Sequence, residues 1–373
     1  MKEKVMMFVK QETVLAIAIL LAVFSAFFVP PSKEYLSYID WRVLGILLSL
    51  MIIMSGLQET GLFDAIGSRL LKKTRNTRQL SMMLVFLCFF FSMLITNDVA
   101  LFTFVPFAMI ILKKCKQEDL LIPVLVLQTI AANLGSMLTP IGNPQNLYLY
   151  NLSGMCMKEF VLVMLPYTLA AFVFLVVSVL LCCRNEIITE VIVEKSEKNV
   201  RSGVKNTVYL TLFLLSLLVV ARIISFEIVL VLVIFTVFLM DRKVLTQVDY
   251  CLLLTFIAFF IFTGNMGNIP VIRDSLQQLV AGKELGIGIL ASQAISNVPA
   301  TLLLSGFTSN YKSLLIGVNV GGLGTLIASM ASLISYKKIS TEKNISLKKY
   351  TLVFSAVNVA FLIILGGIYI FVL

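Results

Sequence analysis

The chain has 373 residues, of which 59% are hydrophobic and 13% charged, and its mean hydropathy of +0.98 argues against a soluble domain. The net charge of +10 comes from short clusters of Lys and Arg between apolar runs, which argues against nucleic-acid binding and favours a lipid bilayer as the surroundings. The chain has no histidine, so imidazole is excluded as a proton carrier or metal ligand.

Apolar runs follow one another along the chain, and most have the length of one membrane crossing, about 20 residues. The first is expected to be a retained helix, because it ends in Val29-Pro30-Pro31 without a small-x-small cleavage site. The runs cover residues 13–32, 43–58, 79–112, 120–157, 160–183, 207–221, 228–240, 250–272, 285–311, 313–336 and 350–373.

The run 79–112 has polar residues at its centre, Thr96-Asn97-Asp98. Its two legs would form a re-entrant hairpin with these polar groups at the tip, although two full crossings would suit the run almost as well. A second re-entrant hairpin is expected at 284–309, because two legs of about 13 residues are each too short to cross the bilayer.

A broken helix is expected at 120–150, where Pro140 and Pro144 remove backbone donors and interrupt the helix. A second broken helix is expected at 311–336. With both hairpins returning to their own side, about nine crossings remain. Placing the N-terminus inside and the C-terminus outside puts most of the 30 basic residues in the cytoplasm. This count takes 207–221 and 228–240 as two crossings; one merged crossing would invert everything after it.

The two halves carry similar features in the same order, which predicts an all-α membrane protein built from two inverted repeats. The first repeat covers 1–183, a cytoplasmic linker covers 184–206, and 207–373 holds an extra span and the second repeat. Inverted repeats with interrupted helices are typical of alternating-access carriers. The matched features are Asp40-Trp41 with Asp249-Tyr250, the tip at Asn97 with the tip at Asn297, and Asn133-Leu134-Gly135-Ser136 with Gly322-Leu323-Gly324-Thr325.

Asp98 is the only charged residue between Arg78 and Lys113. A carboxylate at that depth indicates a coupling or ion-ligand role, or else a cap on the second hairpin leg. The side-chain amides of Asn97 and Asn297 offer an oxygen to a cation and a donor to an anion, so a transient Na⁺ is expected at Asn97, Asp98 and Asn297. At the second tip, Ser296 and Thr301 join the candidate site.

The segment from Ser136 to Asn146 is the densest polar patch within an apolar run. Its side chains and freed carbonyls suit contact with a ligand, or alternatively a packed kink. In the second half, Gly324 and Thr325 suit tight helix packing nearly as well as substrate contact. The candidate residues of the first segment are Ser136, Thr139, Gly142, Asn143 and Asn146.

These patterns resemble the ion transporter superfamily, which includes citrate and dicarboxylate carriers, arsenite permeases and sodium–proton antiporters. The Asp after Asn97 and the Pro two residues after Asn297 resemble the arsenite permease and antiporter branch, whereas the run from Thr139 to Asn146 resembles the carboxylate carriers. The chain looks most like the compact anion permeases of bacteria.

The resemblance implies a homodimer in the bacterial cytoplasmic membrane. It places Asn97 with Ser136 in one ion site and Asn297 with Thr325 in its symmetry mate, with the substrate between the tips.

The expected function is therefore secondary active transport of a small anion, a carboxylate or inorganic oxyanion, by alternating access and coupled to Na⁺ or H⁺. The alternatives are a Na⁺/H⁺ antiporter and an arsenite-type efflux permease. An enzyme is not expected, since the sequence has no catalytic dyad, metal cluster or phosphate loop. No cofactor is expected apart from Na⁺ as a coupling ion.

Overall fold

The computed structural model describes residues 12–71, 74–187, 203–340, 342 and 346–372. Across these residues the secondary structure is helical, with one isolated β-bridge between Asn76 and Ile187. The all-α class predicted from the sequence is confirmed. Most of the predicted linker 184–206 lies outside the described residues.

The first half forms helices joined by short turns, and a 3-10 turn at Glu118–Leu120 leads into the seventh of them. The helices are α1 (Thr13–Ala26), α2 (Tyr35–Tyr38), α3 (Trp41–Glu59), α4 (Leu62–Leu71), α5 (Thr77–Phe91), α6 (Asn97–Lys114), α7 (Leu121–Ser136), α8 (Pro144–Ser153) and α9 (Met157–Cys182).

The second half begins with α10 (Gly203–Val220), which leads into a further set of helices. Arg222, with φ 63°, lies in the turn between α10 and α11, so the pair 207–221 and 228–240 forms two separate helices. The set is α11 (Phe226–Met240), α12 (Arg242–Leu245), α13 (Tyr250–Gly267), α14 (Pro270–Val280), α15 (Glu284–Ile295), α16 (Asn297–Ser305), α17 (Tyr311–Val320), α18 (Met330–Ser340) and α19 (Leu347–Val372).

Length and composition make six helical segments of the described chain suitable for crossing a membrane. Shorter apolar helices at α1, α5, α11 and α15 accompany them. The chain is therefore a multi-pass membrane protein, while the nine crossings and their orientation stay predictions. The six segments are Trp41–Glu59, Glu118–Ser136, Met157–Cys182, Gly203–Val220, Arg242–Gly267 and Leu347–Tyr369.

The helices α11 to α19 repeat the order of α1 to α9, and most pairs of corresponding helices have similar lengths. Asp40 caps α3 by accepting a hydrogen bond from the Val43 N–H at 2.9 Å, and Asp249 caps α13 by accepting one from Leu252 at 3.0 Å. The main difference is that α6 has 18 residues and α16 only nine. This recurrence matches the predicted repeats in order; their opposite orientation in the membrane stays a prediction.

The repeats are interlocked, because α1 packs against α13 and α11 packs against α3. The segment that contains α7 lies at the centre, with 83% of its most apolar window buried, compared with 33% for α9 and 22% for α19. The outer helices expose large apolar side chains such as Leu181 and Leu352, which suits contact with lipid. The polar residues of α7 are therefore held far from the lipid-facing surface.

Candidate functional site

Two helix tips lie in equivalent positions. The backbone N–H of Asn97, the first residue of α6, donates to the Gly142 carbonyl at 3.0 Å. In the same way the N–H of Asn297, the first residue of α16, donates to the Ala328 carbonyl at 3.0 Å. Both acceptors lie in interruptions between helices, so each tip is docked on the helix break of its own repeat.

The first break separates α7 from α8, and Asn143 and Asn146 stabilise it. The Asn143 side chain caps α8 by accepting a hydrogen bond from the Asn146 N–H at 3.1 Å. The Asn146 amide donates to the carbonyls of Ser136, Met137 and Thr139 at 3.2 to 3.4 Å. These carbonyls lie at the end of α7 and just beyond it, where helical partners are missing, so Asn146 satisfies them.

The second break separates α17 from α18, and Gln293 has the role that Asn146 has in the first. Its amide donates to the Gly321 and Leu323 carbonyls at 2.8 and 2.9 Å. Gly324 has φ 104°, and a Cβ there would lie 2.3 Å from Gln293 Oε1. The exposed Thr325 donates its N–H to the same oxygen at 2.9 Å. Gly324 and Thr325 therefore hold the break against α15 rather than joining the buried polar centre.

Side-chain contacts give the correspondence between the two breaks. Thr139 Oγ1 donates to the Met93 carbonyl at 2.5 Å, and Thr325 Oγ1 donates to the Gln293 carbonyl at 3.3 Å. Thr139 therefore corresponds to Thr325. The comparison of the two halves by sequence had matched Thr325 with Ser136, which is three residues earlier in the chain than Thr139. The sequence alignment was misled by small residues, which recur throughout this segment.

Asn133, on the last turn of α7, accepts hydrogen bonds from both repeats. Asn97 Nδ2 donates to its Oδ1 at 3.1 Å, and Ser329 Oγ donates to the same oxygen at 2.9 Å. Asn133 therefore joins the first tip to the break of the other repeat.

Asn319, on the last turn of α17, contacts the break of the first repeat. Asn143 Nδ2 donates to Asn319 Oδ1 at 3.3 Å and to Ser136 Oγ at 3.0 Å, and Asn319 Nδ2 donates to Asn146 Oδ1 at 2.6 Å. We call the connected set the asparagine network; each of its members is at most 5% exposed. Ser136 connects the contacts of Asn133 with those of Asn319, because its Oγ also donates to the Asn133 carbonyl at 2.9 Å. The members are Asn97, Asn133, Ser136, Asn143, Asn146, Asn319 and Ser329.

Several buried polar atoms beside the network have no hydrogen-bond partner among the described residues. They are Asp98 Oδ1, Asn133 Nδ2, Ser332 Oγ and both polar atoms of the Gln145 side chain. Each belongs to the network or lies within three residues of a member. Leaving such an atom unpaired in the folded protein costs about 1–3 kcal/mol. A ligand that forms the missing hydrogen bond would recover this cost, which would favour its binding. The set contains both donors and acceptors.

The second tip is strained. Ser296 has φ 74° and ψ 154° and is 2% exposed, whereas Thr96 at the first tip has an ordinary extended backbone with φ −63°. Such a conformation costs about 1–3 kcal/mol in a residue other than glycine, and strain of this kind clusters at functional sites.

The structure brings several predicted site residues together. Asn97, Ser136, Asn143 and Asn146 meet at the network, and Gly142 allows a close approach, since a Cβ there would lie 2.1 Å from the Ser136 carbonyl oxygen. Three others serve local structure instead: Thr139 contacts Met93, Thr325 contacts Gln293, and Thr301 bonds back to the Asn297 carbonyl at 2.6 Å. Asn297 Nδ2 points at Gly322, where a Cβ would lie 2.9 Å away.

The sequence analysis considered Asn133 only as a matched feature of the two repeats. It did not identify Asn319, Ser329 or Gln145 as candidate site residues. Asn133 and Asn319 are single polar residues near the ends of apolar helices. Their equal placement before the two breaks is the signal that could have identified them.

A cavity of about 540 Å³ opens near one end of the site. We call it the vestibule; its lining includes Tyr148, Gln277, Glu284, Ser305, Thr308 and Tyr311. Within its lining the hydroxyls of Tyr148 and Ser305 lie 3.1 Å apart and share a hydrogen bond. The vestibule thus lies beside α8 and α16, which also pack against each other.

The described residues hold no group of three or more Cys, Asp or Glu side chains that could bind a metal ion. The donors of the network are amides and hydroxyls, which suit small anions, alkali cations or neutral hydroxylated molecules.

A family model described as citrate transporter matches residues 5–312. An uncharacterized transporter of Methanocaldococcus jannaschii is 32% identical over 340 residues, which are 89% of this chain and 90% of the relative. Inner membrane protein YbiR of Escherichia coli is 32% identical over 333 residues, 87% of each chain. Silicon efflux transporter LSI3 of rice (Oryza sativa) is 31% identical over 145 residues, 39% of this chain and 29% of the relative.

Proposed function

This chain belongs to the citrate transporter family, and we propose that it is a secondary active transporter that moves a small anion by alternating access. The proposed substrate is a carboxylate or an inorganic oxyanion, and transport is coupled to Na⁺ or H⁺. The proposed location is the bacterial cytoplasmic membrane, with a homodimer as the assembly implied by the family resemblance. Light scattering of the purified protein in detergent tests the dimer.

The observation that carries this proposal is the asparagine network, where the first helix tip and the helix breaks of both halves meet in a buried polar centre. Polar side chains inside a membrane protein are costly unless they are paired, and they mark substrate and ion pathways. Interrupted helices of two repeats that meet in this way favour a transport site.

Anion binding is attributed to the helix N-termini and amide donors. Asn97 and Asn297 begin α6 and α16, whose N-termini carry partial positive charge and favour an anion. The unpartnered Nδ2 of Asn133 and Nε2 of Gln145 are further donors. The network contains no Lys or Arg, so recognition would rest on hydrogen bonds and allow substrates of several shapes.

Ion coupling is attributed to Asp98. Its Oδ1 is buried without a hydrogen-bond partner, and its backbone N–H donates to Asn97 Oδ1 at 2.9 Å. A proton or Na⁺ would compensate the charge of this carboxylate and would pair with the free oxygen. The corresponding residue of the second repeat is Val298, so coupling of this kind is expected at the first tip.

The test is uptake of radiolabelled citrate, succinate, sulfate and phosphate into proteoliposomes under an imposed Na⁺ or pH gradient. We expect uptake of at least one anion that needs a gradient, and loss of the ion dependence in Asp98→Asn. Uptake that needs no gradient, or an ion dependence that is unchanged in the variant, would contradict the coupling mechanism.

A Na⁺/H⁺ antiporter is the second candidate, and the unpartnered Asp98 oxygen favours it. An arsenite-type efflux permease is the third, on the resemblance of the first tip to that branch. Thermal stability in detergent discriminates among them, because a ligand that binds the folded state raises the unfolding temperature. Stabilisation by Na⁺ alone favours the antiporter, by arsenite the efflux permease, and by an anion together with Na⁺ the anion carrier.

A further inference from the structure

Glu284 is a buried carboxylate at the wall of the vestibule. Glu284 is only 4% exposed, yet it lines the cavity of about 540 Å³. Oε1 accepts hydrogen bonds from the Gly282 N–H at 3.1 Å and from Thr308 Oγ1 at 3.0 Å. Oε2 takes part in neither of these bonds, and Glu284 is one of the residues that line the cavity. A costly buried carboxylate with one free oxygen is well suited to hold a cation.

The surroundings of Glu284 add no basic side chain to the vestibule, since no Lys or Arg is among the described residues that line it. The helix ends in the lining are of both signs. Ala281 and Gly306 follow the C-termini of α14 and α16, whereas Glu284 and Tyr311 begin α15 and α17. The partial charges of the helix ends therefore oppose one another, and the attraction for a cation comes from the carboxylate.

Two basic side chains near this end of the molecule, Lys312 and Arg222, contact other partners, and the exposed Lys283 before Glu284 is in none of the ion pairs of the described residues. Lys312 Nζ lies 2.7 Å from Glu159 Oε1 in an ion pair. Arg222 donates to the carbonyls of Tyr150 and Gly154 at 3.0 and 3.3 Å. The charge of Glu284 is therefore not neutralised by either of these side chains.

The donor set indicates the class of cation. The polar lining offers a carboxylate, the hydroxyls of Ser305, Thr308 and Tyr148, and the amide of Gln277, all of them oxygen donors apart from the amide nitrogen. Oxygen ligands suit alkali and alkaline-earth cations, and divalent ions in proteins usually take more than one carboxylate. One carboxylate with neutral oxygens matches a single positive charge.

We propose that the vestibule binds Na⁺ at Glu284, as a cation site separate from the asparagine network. The proposal rests on the proposed function, since it names the route by which a coupling cation reaches the transport site. An anion gains no attraction from this cavity and would depend on the Na⁺ already bound there.

The position of the site along α8 supports such a route. Tyr148, in the vestibule lining, lies two residues after Asn146 of the network and three after Gln145. Residues three apart share a face of a helix, so the unpartnered amide of Gln145 lies on the same face as Tyr148, one turn farther in. A cation released from Glu284 would pass the Tyr148–Ser305 hydrogen bond to reach Gln145.

The competing interpretation is that Glu284 only ties the start of α15 to the loop before α17. The Glu284→Gln variant separates the two roles, because its Oε1 still accepts from Gly282 and Thr308 while the charge is removed. Glu227→Gln is the matched control, since Glu227 is an exposed carboxylate in the first turn of α11, as Glu284 is in the first turn of α15, and it does not line the vestibule.

The experiment is equilibrium binding of ²²Na⁺ to the purified full-length protein in detergent, with choline keeping the ionic strength constant. We expect Glu284→Gln to weaken Na⁺ binding at one site at least tenfold, and Glu227→Gln to leave it unchanged. Asp98→Asn should retain the Glu284 site. Unfolding temperatures of the variants, measured alongside, show whether the fold is kept.

The proposal is overturned if folded Glu284→Gln binds Na⁺ with the affinity of the wild type, or if the wild type binds no ²²Na⁺. The binding assay requires neither a substrate nor transport. Failure of the proposed function would appear separately, as absence of gradient-dependent anion uptake by wild-type proteoliposomes whose Na⁺ binding still depends on Glu284.

Discussion

Replacing Gly135 by Ala tests the close approach of α7 to α5, on which the position of Asn133 depends. A Cβ at Gly135 would lie 2.1 Å from the Phe89 carbonyl oxygen, 2.8 Å from the Phe89 carbonyl carbon and 2.6 Å from Ser92 Oγ. Two of these atoms belong to the backbone of α5, which cannot rotate away as a flexible side chain can. Ordinary contact begins at 3.4 Å, so the Cβ and the Phe89 carbonyl oxygen must move apart by about 1.3 Å.

The expected cost follows from two opposing effects. Overpacking of a well-packed interior costs about 1–3 kcal/mol, and a clash of this depth with backbone belongs at or above the upper end. Replacing Gly by Ala inside a helix returns about 1 kcal/mol through helix propensity. We expect Gly135→Ala to lower the free energy of unfolding by about 2 kcal/mol or more.

Two further glycines make the prediction quantitative. Gly321 is the equivalent of Gly135, and a Cβ there would lie 2.7 Å from the Gly317 carbonyl oxygen and 2.9 Å from Ile289 Cα, so the smaller overlap predicts a smaller loss. Gly286 lies inside α15 with nothing within 4 Å of its added Cβ, and its replacement should be neutral or stabilising by up to about 1 kcal/mol.

The assay is the thermal unfolding temperature of the three Ala variants in one detergent, read from the fraction that stays monodisperse after heating. The expected order from least to most stable is Gly135→Ala, Gly321→Ala, Gly286→Ala. If Gly135→Ala were as stable as Gly286→Ala, the α5–α7 contact described here would be wrong.

Three other predictions concern the asparagine network, the orientation of the chain in the membrane, and the burial of the Cys115 thiol. Asn133→Ala leaves Asn97 Nδ2 and Ser329 Oγ without their shared acceptor, and should abolish ligand-induced thermal stabilisation while costing about 2–6 kcal/mol in unfolding; unchanged stabilisation by ligand would contradict a role for the network. Cys156 is exposed and predicted to lie outside, so in a chain with no other cysteine a membrane-impermeant maleimide should label it in intact cells; labelling only after permeabilisation would reverse the orientation. Burial raises the pKa of the Cys115 thiol, which lowers its thiolate fraction at neutral pH, so in permeabilised cells its labelling rate should keep rising as the pH is increased above 8; a rate already at its plateau at pH 7 would contradict this burial.

The fold class and the order of elements followed from apolar runs and their interruptions, which are local in sequence. Apolar runs of crossing length predicted the helices, and the proline and glycine residues between Thr139 and Pro144 predicted the interruption after α7. Polar residues that break an apolar run are a strong signal, because in a membrane they require partners. For this reason Asn97, Asn143 and Asn146 could be identified from the sequence.

The remaining parts of the site depend on contacts between distant segments. Asn133 and Asn319 are single polar residues near the ends of apolar helices, and only the crossing of the two breaks brings them into one network. In the sequence, Thr325 looked equivalent to Ser136 because small residues recur at several spacings in this segment. In the structure Thr325 is hydrogen-bonded to Gln293 on α15, and its equivalent in the first repeat is Thr139. Glu284 follows Lys283 at the edge of an apolar run, a pattern typical of a solvated helix end, and its burial comes from the loop around Thr308.

The interlocked packing of α1 on α13 and of α11 on α3 has a consequence for biosynthesis. The partner of Thr13–Ala26 is Tyr250–Gly267, which leaves the ribosome more than 200 residues later. At a synthesis rate of about 5–20 residues per second, α1 must wait roughly 10–45 s in the bilayer before its partner arrives. During that time lipid, or an insertion chaperone, covers the face of α1 that α13 will occupy. Two half-chains made separately should therefore be degraded, whereas the same halves made together in one cell should assemble.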